Sequence, residues 1–370
     1  MSEDIEKIYN EFAEKGHTDG LPIIPPTEAR VKRMLEFTDK KPDDSLGLVP
    51  PSGYEATVES VAANAVMAGC KPEYFPVVIA TIEATLDRPN LRGAVATTGP
   101  CWPMAIVNGP IAKEIKMYNS WGAIGTGPQH RPNVTIGRTI TLVIQNIGKS
   151  VPGISEKKPV FNVWRYGLCF GEVEDLIPAP WEPLHVDRGF ERETSAVSVI
   201  GEGNLTSSGG AGRPSGHFLF DLNSWAVNMN QTQNSPPHGI AVNSDAVIII
   251  TPGRAKVFTD NGWSKNDLKN FLYNKCRSDR NEWYKGYPED KRIDILRTAF
   301  APAPTWKREL DLIPLFETPE CINIAVVGGD PSRTFVKFPS SHCNDPLVTK
   351  PITLVDGTPV KSVYEFKQNK

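Results

Sequence analysis

Met104-Ala105-Ile106-Val107-Asn108-Gly109-Pro110-Ile111-Ala112-Lys113 reads as a short buried strand, a Gly/Pro turn and the start of a helix. A second stretch, Ile249-Ile250-Thr251-Pro252-Gly253-Arg254-Ala255-Lys256, repeats that order. An aromatic Asn/Trp segment follows each: Tyr118-Asn119-Ser120-Trp121 and Asn261-Gly262-Trp263. Two related α/β lobes with a site where they meet would produce this echo. So would any α/β protein, because strand–turn–helix units look alike. Both readings stand on sequence alone.

Working outward, residues 94–98, 104–108, 246–251 and 322–327 are apolar runs bounded by Gly or Pro, which predicts buried strands. Residues 195–200 read as a further strand. Helices are expected over 2–15, from a Thr27 cap to about residue 37, from Thr57 to the Gly69 stop, over 72–86 and 134–147, and near 254–260 and 264–276. Residues 119–132 and the Gly/Ser-rich 202–215 read as loops, 151–195 as irregular, and 216–230 as a helix. The expected fold class is α/β, with mixed or mainly parallel sheets and helices on both faces. The chain should form two intimately packed lobes, an N-terminal α/β lobe with long loops (1–195) and a C-terminal α/β lobe (196–370).

The 370 residues are enough for such cores. The apolar fraction is 39% and the charged fraction 22%, as in globular rather than disordered chains. A formal net charge of −3 leaves no footprint for nucleic acid. No apolar run is long enough to span a bilayer. Residues 1–15 are acidic and amphipathic rather than signal-like, so the expected location is cytoplasmic. The cysteines, Cys70, Cys101, Cys169, Cys276, Cys321 and Cys343, form no CxxC pair and no zinc-finger spacing. Reduced thiols filling the core are the plain expectation.

Four segments carry residues with chemistry. Cys101 follows a predicted strand, at the edge where open α/β sheets bind ligands, and would be a nucleophile if a cation lowered its pKa. Otherwise it is structural. The loop containing Gly127 and His130 enters a helix that carries Arg138. Together they could hold a small carboxylate or phosphate, or be a capped surface loop. The loop is neither a Walker A motif nor GxGxxG after a strand, so no nucleotide cofactor is indicated. Glu172 and Glu174, two apart, point to one face of an extended segment. His185 is the best acid/base by type, and Arg188 is a second guanidinium. A solvated acidic face with a packed histidine is the ordinary alternative. The glycine-rich 202–217 and Pro236-Pro237-His238-Gly239 would suit a hinged lid.

Five stretches together resemble a known family. They are Asp19-Gly20-Leu21-Pro22-Ile23-Ile24-Pro25-Pro26-Thr27, Ala65-Val66-Met67-Ala68-Gly69-Cys70-Lys71-Pro72-Glu73-Tyr74, Ile106-Val107-Asn108-Gly109-Pro110-Ile111-Ala112, Thr135-Ile136-Gly137-Arg138 and Trp181-Glu182-Pro183-Leu184-His185-Val186. The family comprises bacterial proteins of similar length and poorly defined function, encoded near small proteins with a Sec/Cys-Gly-Ser-Cys motif. The resemblance implies a small partner subunit with thiol or selenol chemistry, and no catalytic assignment. This chain lacks that motif itself.

The leading expectation is an enzyme acting on a small polar or carboxylated molecule by acid/base or lyase-type chemistry, with such a partner. His185, Glu172, Glu174 and Cys101 are its catalytic candidates. Arg138, Arg188, His130 and Gly127 are its substrate-binding candidates, and Arg138, Glu172, Glu174, His185 and Arg188 should border one cavity together with the 122–130 loop. The alternatives are a noncatalytic ligand-binding or scaffold subunit and, third, a metal-dependent hydrolase using Glu172, Glu174, His185 and His238. An oligomeric assembly is compatible with all three.

Overall fold

The computed structural model describes residues 2–96, 102–157, 163–202, 204–208, 226, 245–279, 281, 288–289, 310–329, 334–338 and 346–368. The helices among these are α1 (Ser2–Glu14), α2 (Glu28–Leu35), α3 (Val58–Ala68), α4 (Phe75–Leu86), α5 (Leu91–Val95), α6 (Pro110–Glu114), α7 (Arg131–Asn146), α8 (Leu184–Asp187), α9 (Pro252–Asp260), α10 (Lys265–Lys275) and α11 (Glu365–Gln368). The strands are β1 (Ser45–Val49), β2 (Tyr54–Thr57), β3 (Trp102–Asn108), β4 (Leu168–Gly171), β5 (Ala196–Glu202), β6 (Asn204–Ser208), β7 (Ala246–Ile250), β8 (Arg277–Asp279), β9 (Leu312–Pro314), β10 (Ile322–Val326), β11 (Thr334–Phe338) and β12 (Val348–Pro351).

The two larger sheets have the orders β12-β5-β3-β4 and β10-β7-β11-β6. In the first, β3 runs parallel to β4, and the other two pairings are antiparallel. The second repeats this: β7 is parallel to β10, and the rest antiparallel. The sheets are therefore mixed, the first of the two expected forms, with antiparallel pairings outnumbering parallel ones.

Side-chain alternation along the strands decides the layers. Ala105, Val107, Cys169, Val197 and Val199 join an apolar core with α2, α3, α4 and α7. Ile248, Ile250, Ile322 and Ile324 join another with Phe258 of α9 and Leu268 and Leu272 of α10. The opposite faces of both sheets meet in a third core, where Met104, Ile106, Phe170 and Ile200 are joined by Val247, Ile249 and Ala325. The order is helix, sheet, sheet, helix. Each sheet thus has helices on one face and the other sheet on the other, which corrects the expectation of helices on both faces. An apolar run buried on both sides records that it is covered, not by what.

The edge strands cross over. β6 follows β5 but pairs with β11 in the second sheet, and β12 pairs with β5 in the first. A cut between 195 and 196 separates β3 from β5, to which it is hydrogen-bonded over seven residues. Residues 94–95 are the end of α5 and not a strand, and residues 204–208 of the expected Gly/Ser loop are a strand. Apart from Ala226, the helix expected at 216–230 lies outside the described residues.

Local chemistry sets both ends of α3, one of the helices packed on the first sheet. Thr57 Oγ1 accepts from Ser60 N at 3.2 Å at the start of α3, and Gly69 ends it with φ +94°. Further on, α7 meets the approach to β4 backbone to backbone. A Cβ on Gly137 would lie 2.8 Å from Leu168 N, so only glycine permits that contact.

Candidate functional site

Because β3 and β4 are parallel, their C-terminal ends lie side by side, at Asn108 and Gly171. Asn108 is fully buried, at the end of an otherwise apolar strand. Its Nδ2 donates to Glu172 Oε2 at 2.7 Å and to Glu174 Oε1 at 2.9 Å. The two carboxylates expected to share a face thus converge on one amide, at the end of a strand expected to be buried. A lone polar residue closing an apolar strand was the available signal.

The two carboxylates differ in surroundings. Glu172 is buried, and its oxygens also accept from Leu184 N and Val326 N, both at 2.7 Å. It therefore ties the end of β4 to α8 and to β10. Burial pushes its carboxyl up from the ordinary range, while nearby Lys265 and these donors pull it down. Lys265 is itself buried, donating to Asp187 Oδ2 at 2.8 Å and Ile324 O at 3.1 Å. Glu174 accepts from Gly109 N at 2.7 Å, and its side chain is 12% exposed. Gly109 has φ +88°, and a Cβ there would lie 2.6 Å from Thr194 O, so the turn presenting this N–H requires glycine.

His185 lies on α8 and is fully buried. Its Nε2 is 3.2 Å from Arg192 O, and its Nδ1 is 3.8 Å from Glu174 Oε1. His185 Nδ1 and Asn108 Oδ1 are buried atoms without a hydrogen-bond partner among the described residues. Two such atoms beside a partly exposed carboxylate mark a polar cluster with unused capacity.

The remaining candidates sit elsewhere. The Arg138 fork holds a carboxylate, but the protein's own: Nε and Nη2 each lie 2.7 Å from Asp19. Arg188 donates to Leu347 O at 3.1 Å. His130 is buried against Tyr118 with Nε2 2.7 Å from Gly122 O, which pins its own loop. Gly127 is an exposed turn residue with φ +150°. No hydrogen bond or ion pair links either arginine to Glu172, Glu174 or His185 among the described residues. Cys101 and His238 lie outside the described residues. Among the described residues, no three His, Cys, Asp or Glu side chains are grouped to hold a metal ion. Where the two carboxylates converge, an amide N–H stands instead.

Burial pushes the thiols of Cys70, Cys169, Cys276 and Cys321 up, Cys276 to about 12. The expected outcome at pH 8 is that peptides containing Cys70, Cys169 and Cys276 escape iodoacetamide in the folded protein and react after denaturation. Mass mapping checks this, and rapid native labelling of any of the three would refute it.

No family model and no curated protein matches the chain. No helix among the described residues is long and apolar enough to cross a membrane.

Proposed function

We propose that the chain is an enzyme that moves a proton on a small polar or carboxylated molecule, as in lyase-type chemistry, with Glu174 as the group that meets substrate. The carrying observation is the buried, unpartnered His185 Nδ1 lying 3.8 Å from the partly exposed Glu174. When Nε2–H donates to Arg192 O, Nδ1 keeps its lone pair toward a carboxylate. At 3.8 Å the two are beyond a hydrogen bond, and a proton would satisfy both once they close to bonding distance. Glu174 can therefore take a proton from substrate and have it held by His185 behind it. Asn108 and Gly109 fix the carboxylate so that one orientation faces the exchange. His185, having no exposed surface, acts through Glu174.

Glu174→Gln keeps an oxygen for both donors and removes the proton acceptor. Turnover of a substrate found by screening small carboxylates should fall at least about a hundredfold, with the melting temperature nearly unchanged. His185→Ala should match that loss, and His185→Gln should alter the pH profile. A near-wild-type rate for Glu174→Gln would sink the proposal.

The repeated sheet pattern supports reading the chain as two related halves that exchange their last strands. By strand register, Gly171 corresponds to Val326, so Glu172 and Glu174 correspond to Val327 and Gly329. On this reading only the first half keeps the carboxylates, and the second supplies a wall. A noncatalytic subunit holding a small thiol or selenol protein is the second reading. It is favoured by the protonated state that burial imposes on the described thiols, since a redox half-reaction would then need a partner.

A further inference from the structure

A cleft of about 580 Å³ opens between the end of α6, the 128–132 turn, residues 71–74 and the C-terminal segment at 363–364. This is the size range of small-molecule sites. Neither Glu172, Glu174 nor His185 lines it. Its charges are unevenly spent. Glu114 accepts from Ser362 Oγ at 2.6 Å and Val363 N at 2.8 Å, and Glu73 lies 3.8 Å from Lys71. Arg131 uses Nε and Nη2 on Gly69 O. Among the described residues, neither Arg131 nor Lys116 pairs with a carboxylate.

Lys116 carries a second, independent oddity. It has φ +57°, a left-handed conformation that favours glycine. Its N–H bonds Lys113 O at 3.0 Å and Met117 N bonds Ala112 O at 2.8 Å, the helix-ending motif whose usual residue is glycine. A lysine here sets backbone strain against whatever its ammonium does. Three phenol rings, Tyr74, Tyr118 and Tyr364, also line the cleft and offer flat apolar walls with donor tips.

We infer that this cleft is a binding site for a small aromatic carboxylate, held between the tyrosine rings with its charge on Lys116 and Arg131. Planar rings prefer aromatic neighbours, and a guanidinium whose Nη1 bonds none of the described residues, with an ammonium beside it in the lining, suits a carboxylate. The inference does not depend on the acid/base reading of Glu174.

Isothermal titration of the full chain with benzoate tests it. One saturable site is expected, with inorganic phosphate binding at least about tenfold more weakly, as a tyrosine-lined site requires. Lys116→Gly should lose at least about tenfold in benzoate affinity while melting at the same or a higher temperature, since glycine relieves the backbone. Arg131→Gln should weaken binding similarly. Glu174→Gln should bind benzoate as the wild type does. Absence of saturable binding overturns the inference, as does phosphate binding equally well. So does unchanged affinity in Lys116→Gly, or loss of binding in Glu174→Gln, which would assign benzoate to the carboxylate cluster.

Discussion

Cut after residue 195, the chain should yield two fragments that do not fold separately. Fragment 1–195 keeps β3 and β4 but loses β5, paired with β3 from Trp102↔Glu202 to Asn108↔Ala196, and the outer strand β12. Two strands of a four-stranded sheet remain, and an isolated pair is marginal in water. The same cut removes Val197, Val199, Val360, Val363 and Phe366 from the core under α3, α4 and α7. Fragment 196–370 keeps all four strands of its own sheet, yet its inner face loses Met104, Ile106, Leu168 and Phe170. Each fragment would expose a broad apolar face, which favours association over folding. Thermal unfolding by circular dichroism should show no cooperative transition for either fragment alone, and a restored one after co-refolding. A cooperative, monomeric 1–195 would show that the exchanged strands are dispensable.

What the sequence makes legible follows from local physics. Strands β3, β7 and β10 are readable because Met104-Ala105-Ile106-Val107, Ala246-Val247-Ile248-Ile249-Ile250 and Ile322-Asn323-Ile324-Ala325-Val326 are short apolar runs beside Gly or Pro. α3 is readable from its Thr57 cap and Gly69 stop. β6 is not, because Thr206, Ser207 and Ser208 carry no strand pattern and depend on pairing with β11, more than a hundred residues away. Residues 94–95 are apolar enough for a strand, but Ala94 N bonds Asn90 O and continues a helical turn. In the site, residue types pointed to Glu172, Glu174 and His185. Nothing local shows that Arg138 has its carboxylate in Asp19, or that Asn108 is the amide on which the glutamates converge. Those are long-range choices, fixed only when the layers pack.

Glu172→Ala should lower the unfolding free energy by about 3–5 kcal/mol, the range for breaking a buried charged partnership from one side. Three N–H groups, from Asn108, Leu184 and Val326, lose their acceptor in a place without solvent access. Lys265 loses one of the two carboxylates that offset its charge and keeps Asp187. The damage spans both sheets, since Val326 belongs to β10 and Asn108 to β3. Glu172→Gln should cost less, about 1–3 kcal/mol, because one oxygen remains but its NH₂ must face a donor on either side. The pH dependence has a definite sign. A carboxyl raised by burial binds its proton more tightly in the folded state than in the unfolded chain. The proton-linked part of its contribution is fully present below the ordinary carboxylate pKa and is lost as pH rises to the raised value, while the three accepted hydrogen bonds remain. Glu172→Gln removes that slope, so the stability gap between wild type and variant should be widest at acid pH and narrow as pH rises. Urea unfolding across pH measures both effects. A Glu172→Ala protein within about 1 kcal/mol of wild type at pH 7 would mean that the three donors find other acceptors, and that Glu172 does not join the sheets.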